Sequence, residues 1–370
     1  MLTGLDEALL HQAPLPFSAT TASDHRFYDR CWVAAYNPLG GTALNMGLGV
    51  YKNMNVADGF VCCVHDRKQR NVRVSRQLRP AIDEPCVGPL RYEVLEPYRH
   101  VRVELEETGG LACRLDWRGL FEPIVEDRAV TEINGRIAAD VQRYDQVGRV
   151  DGWIKFGEER VLVEQWFGAR DHSWGVRGGV GGFEPPNGTS PYATGLLVTW
   201  LLFATDDLTG YAQLTRDGTG RVVFRDGLLR WRDERGDRSV AEIDQDIEFP
   251  QDSRFYRRAT LRLVDSEGES HNVACERLTE PIVMRGAGYD NGYADGRGLG
   301  VHRGSHLIEH DEYDLSIEGR PRLVSDGVLV AGLQREQPVS VMFDGSAGTG
   351  DFTVLTLGAL PGFAGASGAS

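Results

Sequence analysis

The sequence predicts an all-β protein built from two β-barrel or sandwich domains in tandem. Apolar and polar residues alternate with period 2 in segment after segment, as half-buried strands require. Between the segments stand turn dipeptides, among them Asp217-Gly218, Asp226-Gly227, Arg235-Gly236, Glu267-Gly268 and Asp326-Gly327, at the short spacing of sandwiches and barrels. Glycine supplies 45 of 370 residues, above the usual ~7%, with no collagen period and few helical patterns beside it.

Taken in order, residues 5–12 have room for two helical turns, and little else in the chain does. Residues 30–36 and 60–64 are the first clear strands. In residues 98–106, Val101, Val103 and Leu105 share one face while Arg102, Glu104 and Glu106 share the other. Leu111, Cys113, Leu115 and Trp117 repeat the pattern after Gly109-Gly110, which predicts a hairpin. Residues 160–167 continue it. Periodicity then breaks over residues 178–191, where Gly-Gly-Val-Gly-Gly, Pro185-Pro186 and Asn187-Gly188 mark a boundary. The expected division is an N-terminal domain over 1–185 and a C-terminal domain over 186–355. Strands are predicted in the latter at 221–224, 240–249, 260–264, 272–276 and 328–333. Residues 356–370, rich in Gly, Ala and Ser, read as a disordered tail.

The formal net charge is −14, which argues against a nucleic-acid partner, since a phosphate backbone asks for a basic face. The longest apolar run, 196–204, is far short of the ~18 residues of a membrane span. Residues 1–17 carry Asp6, Glu7, His11 and two prolines, unlike a secretory leader. Cys31, Cys62, Cys63, Cys86, Cys113 and Cys275 form no C-x-x-C pair, and read as reduced thiols of a core. The expectation is a soluble cytoplasmic protein; a homodimer is left open.

The densest polar and aromatic cluster is Arg170-Asp171-His172-Ser173-Trp174-Gly175-Val176-Arg177, just before the boundary, where sites tend to lie. In an extended chain His172 and Trp174 share one face and Asp171 and Ser173 the other. A histidine beside an indole suits acid/base work in an apolar pocket, because it titrates near neutrality and the ring stabilises a developing cation. Arg170 and Arg177 are positioned to hold Asp171 by paired hydrogen bonds. The competing reading is a buried polar corner in which Arg and Asp satisfy each other and Trp174 fills the core.

This octapeptide resembles the signature of the AttH-like and carotenoid 1,2-hydratase-like proteins. Tyr36-Asn37-Pro38-Leu39-Gly40-Gly41, residues 90–97, the Gly-rich run 286–304 and Glu312-Tyr313 extend the resemblance over roughly residues 25–345. It implies two lipocalin-like β-barrel domains, and an activity among those of enzymes that hydrate isoprenoid alkenes or, more distantly, cyclise large apolar molecules. It places the hydratase histidine and tryptophan on His172 and Trp174, with Asp171 beside them. The family's Tyr-x-Asp pair on the next strand is absent, the region reading Val198-Thr199-Trp200. Asp206, Asp290 and Asp295 are the acids available to replace it.

The run 286–300 lacks the G-x-G-x-x-G of a βαβ unit and any terminal Gly-Lys-Ser/Thr, so it is not read as a nucleotide loop. Its Tyr289, Asp290, Tyr293, Asp295 and Arg297 suit a pocket mouth. His302, His306 and His310 are spaced by four, but Gly298, Gly300 and Gly304 oppose a helix, and in a strand positions four apart are about 13 Å distant. They are read as an exposed face, with His306 near the pocket, rather than as a metal site.

The combined expectation is a cofactor-independent enzyme performing hydration, dehydration, isomerisation or cyclisation of a lipophilic terpenoid or steroid-like small molecule in a largely apolar pocket. In it His172 is the acid/base, Asp171 orients it or shares its proton, and Trp174 stabilises positive charge. Arg170 and Arg177 fix the loop, and Trp200, Tyr289, Asp290, Tyr293, Asp295 and His306 meet the substrate. The alternative is a non-catalytic carrier or sensor of hydrophobic molecules. A buried acid without a partner near His172 favours the enzyme; an Asp171 fully paired with Arg170 and Arg177 favours the carrier.

Overall fold

The computed structural model describes residues 1–183, 195–250, 255–289, 295, 297–330 and 335–358. Four ten-residue strands open the chain: β1 (Phe27–Tyr36), β2 (Thr42–Tyr51), β3 (Val56–His65) and β4 (Lys68–Gln77). A short β5 (Cys86–Val87) leads into β6 (Leu90–Glu96), β7 (His100–Thr108) and β8 (Leu111–Gly119). Next come β9 (Ile124–Val125), β10 (Ala129–Ile133) and two long strands, β11 (Arg136–Phe156) and β12 (Glu159–Val176). The second half holds β13 (Gly195–Thr205), β14 (Leu208–Asp217), β15 (Val222–Trp231), β16 (Asp237–Glu248), β17 (Arg258–Asp265) and β18 (Ser270–Arg277). It ends with β19 (Ile282–Val283), β20 (His306–Asp314), β21 (Arg322–Leu323), β22 (Arg335–Glu336), β23 (Pro338–Phe343) and β24 (Ser346–Gly358). The described residues include no α-helix, and no helix long and apolar enough to cross a membrane.

The expected all-β class with two barrel-like halves is what the chain adopts. Strands β13 to β18, β23 and β24 close into an eight-stranded barrel. The first half is one antiparallel sheet running β4-β3-β2-β1-β12-β11-β8-β7-β6-β5. It curls around a core that takes Val33, Leu44 and Val72 from one flank and Leu105, Leu115 and Trp117 from the other. At the seam side chains replace a ladder: Arg76 Nε donates to the Cys86 carbonyl at 2.9 Å and Arg70 Nη1 to the Gly110 carbonyl at 2.8 Å. The free edge of β4 is covered instead by β20, with Arg73 paired to Glu309 and Asp311 and Arg70 to Glu312. Residues 306–323, on the C-terminal side of the expected division, thus extend the first sheet, which removes an edge open to other chains.

A middle layer joins sheet and barrel. Trp32, Ala34, Phe60, Phe167 and Ala169 on the outer face of the sheet pack against Leu202, Ala204 and Tyr211 on the outer face of the barrel. Leu201, Phe203 and Phe352 point the opposite way into the barrel core, as period-2 strands require.

The Gly109-Gly110 hairpin forms as predicted, both glycines at positive φ. Other expectations change. Residues 5–12 hold only a single 3-10 turn, Gly4–Glu7. Asp226-Gly227 is no turn but the middle of β15, where a Cβ on Gly227 would meet the Tyr211 carbonyl at 2.9 Å and Val240 at 3.0 Å. Within 328–333 Leu329 makes only an isolated bridge to Arg322, and residues 331–333 lie outside those described. Residues 356–358 belong to β24, paired to Gly195–Leu197 of β13, rather than to a tail, and 359–370 lie outside the described residues. All six cysteines are free, five of them buried.

One contact across the middle layer has a pH consequence. Tyr36 Oη on β1 donates to Asp351 Oδ2 on β24, and burial pushes the Asp351 carboxyl up to about 6 from an ordinary 3.8. The folded state keeps that proton where the unfolded chain has lost it, so stability falls as pH rises through this window, by about 3 kcal/mol in all. Denaturation midpoints of the wild type should decline over about pH 4 to 6, and those of Asp351→Asn should not share that component. An unchanged slope in the variant would assign it elsewhere.

Candidate functional site

Strand β12 lies between β1 and β11, with Asp171 opposite Trp32 and Asp145, His172 opposite Cys31 and Tyr144, and Ser173 opposite Arg30 and Arg143. Residues directly opposite share a face. The octapeptide is therefore dealt alternately to two environments: Arg170, His172 and Trp174 to the inner side of the curled sheet, Asp171 and Ser173 to the layer facing the barrel. Gly175 ends the segment because a side chain there would collide with the Asp140 carbonyl, 2.1 Å from a Cβ, at a φ of +132°.

On the barrel-facing side is a cavity of about 200 Å³. The sheet contributes Arg30, Trp32, Arg143, Asp171 and Ser173, and Arg177 follows from the end of β12. The barrel contributes Val198, Trp200, Gln213, Thr353 and Leu355, with Glu336 and Tyr289 closing the wall. Trp32 and Trp200 meet edge to face, centroids 6.1 Å apart. The expected largely apolar pocket is thus corrected: three guanidinium groups and two carboxylates share the wall with the aromatic rings. Asp171, Arg177, Trp200 and Tyr289, all singled out from sequence, meet here.

The electrostatics turn on three acids and one base. Arg143 Nη1 lies 3.3 Å from Glu126 Oε1 and its Nε 3.3 Å from Asp171 Oδ2. Trp200 Nε1 donates to the same Glu126 oxygen at 3.3 Å. Asp145, fully buried beside Asp171, has no donor on either oxygen among the described residues. Burial, then the charge of Glu126, drives its carboxyl well above the usual range, so Asp145 keeps its proton. Burial also raises Asp171, with Arg143 pulling the other way. At Arg143 burial works against the charge, and Glu126, Asp171 and Asp145 more than offset it.

The opposite face holds the rest. His172 Nε2 is 2.7 Å from Asp29 Oδ1, and its Nδ1 is 3.3 Å from Tyr144 Oη. Tyr144 and Trp174 set their rings edge-on to the imidazole, each centroid 5.5 Å away. The group is partly open, with the His172 side chain 35% exposed. Arg170 is buried, donates twice to Gln146 Oε1 at 3.1 and 2.7 Å, and stacks on Trp117 at 4.7 Å. The expected roles change accordingly. Asp171 does not orient His172, because the pleat sends them to opposite sides; Asp29 does. Neither Arg170 nor Arg177 holds Asp171; Arg143 does.

The remaining assignments separate from the cavity. Asp295 pairs with Arg303 at 2.8 Å, and Asp206 is exposed in the turn after β13. His306 is exposed at the start of β20, opposite Arg76. Asp290 and Tyr293 lie outside the described residues. The histidines at 302, 306 and 310 do not converge. Two other groups of donors do, His65 with Asp66 and Glu159, and Asp265 with Glu269 and His271. In the second, Arg238 Nη1 already lies 2.8 Å from Asp265 and 2.6 Å from Glu269.

Arg143, Glu126, Asp145 and Asp29 escaped sequence reasoning. Arg143, Asp145 and Asp29 reach the site through strand register and Glu126 from the connection after β9, for neither of which a single sequence carries a local signal. Trp32 and Arg30 stood in a segment already read as a strand, and their face was legible from alternation alone.

Comparison with known proteins follows this geometry. Residues 2–320 match a family of unknown function, DUF8625. Among curated proteins none matches. The AttH (NE1406) structure from Nitrosomonas europaea is similar at 13% identity and a TM-score of 0.55, over 89% of this chain and 92% of that one. Kievitone hydratase from Nectria haematococca is similar at 8% identity and a TM-score of 0.51, over 89% of each chain. The resemblance to AttH-like proteins drawn from the residues therefore holds for the fold.

Proposed function

The chain belongs to the DUF8625 family, whose function is unknown, and from that premise we propose that it is an enzyme of acid/base chemistry working in the cavity between sheet and barrel. The reaction is hydration, dehydration, isomerisation or cyclisation of a lipophilic small molecule of terpenoid or steroid-like type. The observation that carries this reading is Asp171, a carboxyl raised by burial on a cavity wall that also presents Trp32 and Trp200. A carboxyl whose proton burial holds above the ordinary range is the kind of group that serves as a general acid, and the indole faces stabilise the cation that protonation of an alkene creates. Arg143 receives the carboxylate left behind. At about 200 Å³ the cavity is smaller than the roughly 300–1,000 Å³ of pockets that enclose a whole ligand, so it takes the reacting end of the substrate. The name of one structural neighbour, kievitone hydratase, agrees with hydration.

A second reading rests on the Asp29, His172 and Tyr144 chain. A carboxylate, an imidazole and a phenol in hydrogen-bonded series form an acid/base assembly in their own right, with Trp174 beside it in the role the resemblance implies. The carrier alternative is disfavoured by the three acids, Glu126, Asp145 and Asp171, gathered in burial around Arg143, a concentration of charge that holding an apolar ligand does not need.

Products of a panel of isoprenoid and steroid alkenes and alcohols, formed in water labelled with heavy oxygen, separate these readings by mass spectrometry. Asp171→Asn should lose about 100-fold or more of the turnover, and His172→Ala should retain most of it. The opposite pattern would move the chemistry to the His172 face. Stoichiometric retention of one compound without product, by wild type and both variants, would leave a carrier.

A further inference from the structure

We propose that the molecule entering this cavity carries a carboxylate, gripped by Arg177 and by the indole N–H of Trp32. The inference deepens the reading above and rests on the cavity being the substrate site.

It follows from an inventory of the donors on the wall. Arg30 is committed, its Nη1 lying 2.7 Å from Tyr51 Oη and 3.2 Å from Asp58 Oδ1. Arg143 is committed to Glu126 and Asp171, and Trp200 Nε1 to Glu126. Two donors remain. Trp32 is 7% exposed, and its Nε1 is buried with no acceptor among the described residues. Arg177 has ring faces for neighbours, Tyr28 at 5.8 Å and Tyr289 at 5.9 Å, and no carboxylate within pairing distance among the described residues. Aromatic faces fix the plane of a guanidinium while leaving its N–H fork directed outward. A buried N–H without an acceptor is costly, and an indole N–H accepts no substitute for an acceptor oxygen, since it only donates.

The chemistry of the ligand follows from the same wall. One guanidinium fork matches the two oxygens of a carboxylate. Glu336 on the same wall repels a dianion more strongly than a monoanion, which disfavours a phosphate. Trp200, Val198 and Leu355 offer the apolar surface for the carbon skeleton attached to the anion.

Binding of hydrocinnamate and of its uncharged analogue hydrocinnamyl alcohol, measured by calorimetry, tests the proposal. The wild type should bind the acid about tenfold or more tightly than the alcohol. Arg177→Met, which keeps the stem and removes the fork, should abolish that preference. Trp32→Phe, which removes the N–H together with part of the ring, should weaken the acid several-fold more than the alcohol. Equal binding of acid and alcohol, no binding of either by folded wild type, or a preference intact in Arg177→Met would overturn it. Asp171→Asn separates this result from the catalytic reading. If it abolishes turnover while the acid preference is absent, the anion site fails and the chemistry stands. If turnover survives it while the Arg177-dependent preference is present, the chemistry fails and the anion site stands.

Discussion

Trp117→Ala is expected to destabilise the protein by about 3–5 kcal/mol, read as a lower midpoint in urea at unchanged slope. Trp117 is among the largest fully buried side chains, and the sheet is shaped around it. A Cβ on Gly148 would lie 2.5 Å from its ring, one on Gly168 2.7 Å, and one on Gly119 3.5 Å. Two strands, β11 and β12, thus give up side chains to admit one indole. The ring also supports Arg170, whose guanidinium stacks on it, and Arg170 is the residue before Asp171 on β12. Losing Trp117 therefore leaves a cavity and loosens the strand that carries the site. Trp117→Phe should cost much less, because it keeps an aromatic plane and removes an indole N–H that has no acceptor among the described residues. Equal losses in the two variants would show that volume is not what the glycines accommodate.

Arg143→Met should be destabilising to a similar degree, about 3–5 kcal/mol near neutrality, because removing one partner of a buried charge cluster strands the rest. Three acids, Glu126, Asp145 and Asp171, depend on this single cation. The sign of the pH dependence follows from burial. Asp145 and Asp171 hold protons in the folded state at pH values where the unfolded chain, with carboxyls near 3.8, does not. Their contribution to stability is thus full below that value and declines as pH rises. Arg143 is the largest influence opposing the rise of either group. The deficit of the variant should therefore be smaller near about pH 4 and grow toward about pH 7, as the burial of Asp145 and Asp171 works against their charged forms. A deficit constant across that range would mean that Arg143 acts through packing rather than through charge.

Much of the fold was legible beforehand because strands have a two-residue period. The segments around Val101 and Leu111 and the glycine hairpin between them were apparent from alternation and turn residues. So was the division of the octapeptide, His172 with Trp174 and Asp171 with Ser173. Where reading failed, a local rule met a tertiary demand. Asp226-Gly227 has turn chemistry, yet the glycine serves close passage beside Val240 and Tyr211 within a strand. Arg170, Asp171 and Arg177 look like an ion-paired corner in one dimension, yet the pleat turns Arg170 toward Gln146 and Trp117 and Asp171 toward Arg143.

The sequence by itself determined the class of structure, the location of the site strand and the sides to which its residues point, since these depend on neighbours one or two positions away. Only the tertiary structure decided the company those residues keep. Register across β1, β11 and β12 set Asp145 beside Asp171 and Tyr144 beside His172. The seating of the barrel on the sheet brought Trp200 and Tyr289 to Trp32 and Arg177. Such pairings join residues from 26 to 168 positions apart, and they are fixed by which apolar faces bury one another rather than by any pattern along the chain.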